Sequence, residues 1–185
     1  MSGSFEFDSV DAFVPGTIGQ PGARVFYLQA RHGSHVVSFR LEKEQVGMLG
    51  QYLGQLASAM GPVDPDRDVA GLIEPVSPEW VVGTLSVGVD EEARVIIVTA
   101  EEMIPDDEEQ VPLEFTEEFT EADIDELLEA DDSDSNGGEA RFTLSLGQAA
   151  AFAEAAEELI TAGRPPCRLC GRPIGPEGHA CPRWN

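Results

Sequence analysis

Bases are scarce in this chain. Eleven Lys and Arg stand against 35 Asp and Glu in 185 residues, a formal net charge of −24. A body this acidic repels phosphate backbones, which argues against general nucleic-acid binding. Cysteine is absent from the first 166 residues, and only three occur in all. An odd number of cysteines without an export signal speaks against a disulfide framework. The N-terminal MSGSFEFDSVDAF has neither positive charge nor an apolar h-region, and no apolar run approaches the roughly 20 residues of a membrane span. A cytoplasmic protein with no membrane part is therefore expected. Catalytic patterns are missing too: no Ser/His/Asp, Cys/His or paired-carboxylate constellation stands out. The Gly-rich GTIGQPG at 16–22 is followed by no Lys-Ser/Thr and opens no helix, so it reads as a strand-entry loop and not a phosphate loop.

What is present lies at the end of the chain. Residues 167–185, CRLCGRPIGPEGHACPRWN, hold all three cysteines and one of the three histidines. Cys167, Cys170, His179 and Cys181 make a set of three sulfurs and one nitrogen, which suits tetrahedral Zn²⁺ in a closed, structural site. Two thiolates three residues apart can share one metal through a tight turn, and Gly171 supplies the left-handed residue that such a turn wants. Gly175, Pro176 and Gly178 mark a second turn that returns His179 and Cys181 to the metal. The short His-x-Cys half differs from the spacing of DNA-reading fingers with two Cys and two His. The last 22 residues also reverse the sign of the chain: Arg164, Arg168, Arg172 and Arg183 face a single Glu177. Arg168, Arg172, Arg183 and Trp184 are candidate partner-binding residues, since Arg and Trp are favoured at binding hot spots. His32 and His35 stand in a hairpin turn without a nearby thiol and read as solvated.

The acidity is concentrated. Residues 101–139 carry 18 acids and no base, leaving 17 acids against 11 bases elsewhere. Residues 105–138 read as a disordered acidic insert. Within it TEADIDELLEAD could form an acidic amphipathic segment that docks on a basic surface, the chain's own tail included. Residues 132–136 with Gly137 match the front half of a calcium loop, but position twelve is Thr143 where a bidentate Glu is needed, so Ca²⁺ affinity should be poor.

Around the insert the pattern is mixed. Residues 1–22 are rich in Gly and Pro and read as irregular. Strands are predicted at 23–31, 35–41, 80–89, 93–100 and 140–144, with helices over 42–60 and from 145 to about 162. Val46, Leu49, Leu53, Leu56 and Met60 form one helical stripe; Ala149, Phe152, Ala156, Leu159 and Ile160 form the other. Ser145 and Gln148 make a capping box. The two helix entries look alike, FRLEKEQVGML (39–49) and FTLSLGQAAAF (142–152), aligning Phe39 with Phe142, Gln45 with Gln148 and Leu49 with Phe152. A duplicated strand–helix unit and a chance match both remain open. The predicted class is α+β: an antiparallel sheet of about five strands with two helices on one face, spanning 23–163, plus a zinc knuckle at 164–185.

FVPGTIGQPGARVFYLQA (13–30), LEKEQV (41–46), VGTLSVGVD (82–90) and GRPPCRLCGRPIGPEGHACPRWN (163–185) together resemble an actinobacterial family, domain of unknown function 3090. The resemblance implies a shared fold and a zinc-type tail, and carries over no catalytic residues. The function expected is that of a non-catalytic interaction or adaptor protein whose partner is another protein. The first alternative is nucleic-acid or transcription-machinery association through the knuckle, where aromatic and Arg side chains can hold single-stranded RNA. The second is an enzyme of unrecognised class.

Overall fold

Alternation of period two runs through the strands that build the core. Phe26, Leu28 and Ala30 alternate in one strand, Ile96, Val98 and Ala100 in a second, Ala140, Phe142 and Leu144 in a third, and all nine are buried. In a computed structural model these segments belong to seven strands and two helices among the described residues. The structure describes residues 3–66, 71–104, 137–162, 167–171, 174 and 180–183. In chain order the elements are β1 (Phe5–Phe7), β2 (Ala12–Ile18), β3 (Val25–His32), β4 (His35–Leu41), α1 (Lys43–Ala59), β5 (Val82–Asp90), β6 (Val95–Glu102), β7 (Glu139–Ser145) and α2 (Leu146–Thr161).

The single five-stranded sheet expected from the sequence is instead two sheets. One has the order β2-β3-β4 and the other β1-β7-β6-β5. Residues read as irregular supply the additional strands, β1 and β2. Pairing is also not wholly antiparallel, because β1 lies parallel to β7, with Phe5 opposite Ala140 and Phe7 opposite Phe142. Pro15 is accommodated in β2 because, among the described strands, β2 is at the edge of its sheet, paired only with β3. Gly16 is required there: a Cβ at this position would run into the side chain of Leu72, which leans onto the strand.

The two sheets follow one plan. Each consists of a three-stranded antiparallel meander followed by a helix: β2-β3-β4-α1, then β5-β6-β7-α2. Each meander's last strand is joined, in parallel, by the segment that leads into the other meander. Residues 79–81 run beside β4, with Glu79 N–H to Ser38 O at 2.8 Å and Arg40 N–H to Trp80 O at 3.0 Å; β1 runs beside β7 in the same way. Aromatic contacts repeat too. Trp80 lies on Phe39 with centroids 4.4 Å apart, and Phe7 stacks on Phe142 at 5.6 Å. The likeness of the two helix entries is thus a likeness of two βββα units.

Both helices open with a reciprocal capping box. The Gln in each box also reaches across to the other unit. Gln45 Nε2 donates to Val82 O at 3.2 Å and Gly83 O at 3.1 Å, where β5 begins. Gln148 Nε2 donates to Val10 O at 2.6 Å, just before β2. The helices pack against each other in antiparallel fashion along a seam of small residues, Gly47, Gly50 and Gly54 facing Ile160, Ala156 and Ala153. With two sheets below them, each helix touches strands of both: α1 meets β3 and β5, and α2 meets β2, β6 and β7. Val46, Leu49 and Leu53 from α1 and Ala149, Phe152 and Ala156 from α2 close one continuous core around Phe13, Phe39 and Phe142.

The loop at 71–78 is pinned by the buried Gln29. Its Nε2 donates to Ser38 Oγ and to Ile73 O, while its Oε1 accepts from Ile73 N–H at 2.9 Å. No described helix is long and apolar enough to cross a membrane. Residues 105–136, which include the acidic amphipathic segment and the half calcium loop at 132–136, lie outside the described residues. Gly137 stands at the start of the return into β7, and the Thr143 that replaces the calcium loop's final ligand is a residue of that strand.

Candidate metal centre

The pair at Cys167 and Cys170 forms because Gly171 closes the turn between them. Gly171 sits at φ 73°, a left-handed conformation that costs glycine little, and its N–H donates to Cys167 O at 2.8 Å. Residues 168–170 are the turn itself. Leu169 N–H points back at Cys167 Sγ, 3.4 Å away. A backbone amide aimed at a cysteine sulfur stabilises the thiolate form, which is the form that binds metal.

Cys181 arrives from the other side. Its Sγ lies 3.8 Å from Cys167 Sγ, and with Cys170 the three sulfurs all fall within 4.8 Å of one another. All three residues are half-buried and none is in a disulfide. Among the described residues this is the one cluster of three or more His, Cys, Asp or Glu side chains able to hold a metal ion. His179, the fourth ligand expected from the sequence, lies outside the described residues, as do Arg172 and Trp184.

The thiols differ in electrostatics. Cys167 is drawn below the ordinary thiol value, first by the backbone N–H of Cys170 and then by that of Leu169, against the opposing effect of burial. Cys181 is pushed up, chiefly by burial and then by its neighbours Cys170 and Cys167, although the backbone N–H of Arg183 favours its thiolate. Both Cys167 and Cys181 therefore carry an N–H from the residue two positions on, the donor arrangement that suits a metal-bound thiolate.

Arg183 has a role that sequence reasoning missed. Its Nη1 donates to Leu169 O at 3.1 Å, so it ties the segment carrying Cys181 to the turn carrying Cys167 and Cys170. Its C-P-R placement, two residues after a cysteine, was the available signal, but only the fold brings Leu169 to it. Arg183 and Arg168 both remain exposed. His32 and His35 face each other across the β3–β4 turn, exposed and apart from the sulfurs, as expected for solvated histidines.

A family described as a protein of unknown function, DUF3090, matches residues 5–181. Comparison with curated proteins returned no match, and comparison with solved structures returned none.

Proposed function

The chain belongs to the DUF3090 family, and from that premise, which brings no activity with it, we propose that it is a non-catalytic, cytoplasmic interaction protein with a structural zinc site at Cys167, Cys170, His179 and Cys181. One observation carries the metal reading: the 3.8 Å between Cys167 Sγ and Cys181 Sγ. A regular tetrahedron with Zn–S bonds near 2.3 Å has S···S edges of about 3.8 Å. The spacing of this one pair supports the reading. Thiolates beside one imidazole favour Zn²⁺ over hard cations such as Mg²⁺ or Ca²⁺.

Bound there, zinc would supply cross-linking rather than reactivity, since four protein ligands leave no position for water. It would hold a short, irregular segment in one shape and so present Arg168, Arg172, Arg183 and Trp184 to a partner as a fixed surface. The expected partner is an acidic face on another protein. The net charge of −24 disfavours a nucleic acid.

Elemental analysis of the purified full chain tests the metal, with one zinc per chain expected and none after Cys167→Ser with Cys181→Ser. Absence of zinc from the unsubstituted chain overturns the reading. Pulldown from the cell of origin tests the partner: a stoichiometric protein should be recovered and then lost on deleting 164–185. Salt-dependent RNA binding in its place would establish the nucleic-acid alternative.

A further inference from the structure

Outside the tail the chain has only seven Lys and Arg, and three of them, Arg24, Arg40 and Lys43, line one cavity of about 650 Å³. The cavity opens where α1 begins and α2 ends. Its size falls within the range of small-molecule sites. Among the described residues Glu42, the N-cap residue of α1, is the one acid on its wall, so the described lining carries a net positive charge on a strongly negative protein.

The three cations are not equivalent. Arg24 is built into the wall: its Nη2 donates to Ala162 O at 2.9 Å and its Nη1 to Leu159 O at 3.4 Å, closing the last turn of α2. Arg40 and Lys43 are exposed, and among the described residues neither has an ion-pair or side-chain hydrogen-bond partner. Arg40 is positioned by the ladder of β4, whose N–H at that residue bonds Trp80 O, and Lys43 opens α1. Two unpaired cations on a concave wall, with the positive end of α1 beside them, favour an anion of more than one charge. Val25, Phe26, Leu41, Leu159 and Ile160 supply an apolar part of the lining.

We propose that this cavity binds a small organic phosphate of nucleotide size, with its phosphate between Arg40 and Lys43 and its organic part against Leu159 and Ile160. A phosphate ester matches the lining in charge, and its apolar or aromatic portion matches the apolar part. A polyanion does not fit, because beyond this cavity the acidic body repels a continuing phosphate chain. The site lies in the βββα body and stands independently of the zinc reading.

The test is a fluorescence anisotropy titration of the full chain with methylanthraniloyl-labelled ADP at low ionic strength, with inorganic pyrophosphate as competitor. Saturable binding is expected, displaced by pyrophosphate and weakened about tenfold by Arg40→Glu and again by Lys43→Glu. Both side chains are exposed, and circular dichroism checks that both variants keep their fold. The proposal is overturned if the unsubstituted chain shows no saturable signal and calorimetry finds no pyrophosphate binding. It is equally overturned if both charge reversals leave affinity unchanged, or if affinity disappears on deleting 164–185 while Arg40→Glu has no effect, which would move the anion site to the tail.

Discussion

The rings of Phe39 and Phe142 meet edge to face, 5.8 Å between centroids and 68° between planes, and both side chains are fully buried. Each occupies the same station in its own βββα unit, three residues before the N-cap of the helix that follows, Glu42 in one and Ser145 in the other. Each also carries an aromatic from the parallel segment beside it, Trp80 on Phe39 and Phe7 on Phe142. The two units therefore join through equivalent residues. Replacing either Phe by Leu should cost about 1 to 3 kcal/mol from lost volume. Their interaction is the sharper expectation: in a double-mutant cycle the pair should couple by about 0.5 to 1.5 kcal/mol beyond area burial. Urea unfolding of the two single variants and the double variant measures this, and strict additivity would remove the joint.

Local pattern reveals much of this body. Ile96, Val98 and Ala100 alternate without interruption, and Val46, Leu49 and Leu53 keep a helical stripe, because each of these elements buries one face. Ser145 and Gln148 read as a capping box for the same local reason. The resemblance of 39–49 to 142–152 also marked two equivalent junctions. Pairing between distant parts of the chain was not legible. Phe5–Phe7 is three residues long and owes its strand to Ala140, Arg141 and Phe142, partners far away in sequence. Pro15 and Gly16 look like turn residues, yet the one sits on an edge strand among the described strands and the other makes room for Leu72. At the tail, spacing named the cysteines, but only coordinates could show Arg183 bonded to Leu169 O.

The glycines of α1 separate helix propensity from packing. A Cβ on Gly50 would stand 2.5 Å from Ala156 Cβ, whereas one on Gly47 would meet Ile160 at an ordinary 3.6 Å. Gly47→Ala should therefore stabilise by up to about 1 kcal/mol, since glycine is a poor helix former. Gly50→Ala gains the same local term but forces the helices apart, and overpacking of this kind costs about 1 to 3 kcal/mol. It should lower the melting temperature, and adding Ala156→Gly should recover most of the loss. A stabilising Gly50→Ala would mean that the helices do not approach this closely.

Gln45 and Gln148 each hold a helix start with one end and the opposite unit with the other. Gln148 Oε1 accepts from Ser145 N–H at 2.9 Å while Nε2 donates to Val10 O; Gln45 Oε1 accepts from Glu42 N–H at 2.8 Å while Nε2 reaches Val82 O and Gly83 O. Substitution by Ala should cost about 1 to 3 kcal/mol at each, because half-buried backbone groups lose their partners. Gln148→Glu separates the two tasks. The carboxylate still accepts from Ser145 N–H, but it turns an oxygen toward Val10 O. Protonation restores a donor, so the new acid has a raised folded-state pKa, and its penalty relative to the unsubstituted protein should shrink as pH falls through that value. Parallel denaturation curves at neutral and mildly acidic pH provide the check, and a penalty independent of pH would show that Val10 O is not the partner.

In the metal-free chain Cys167 and Cys181 should not react alike. A thiol is alkylated through its thiolate. The amides of Cys170 and Leu169 lower the pKa of Cys167, while burial raises that of Cys181. At a pH below the ordinary thiol range, more of Cys167 than of Cys181 is therefore ionised. Iodoacetamide applied after chelation should label Cys167 before Cys181, read by mass spectrometry of the tryptic fragments. Raising the pH until both thiols are ionised should narrow the gap. Adding one equivalent of Zn²⁺ beforehand should protect both sites together, because a thiolate shared with the ion is a poorer nucleophile. Protection of Cys167 without Cys181 would mean that the ion does not bridge the 3.8 Å between their sulfurs.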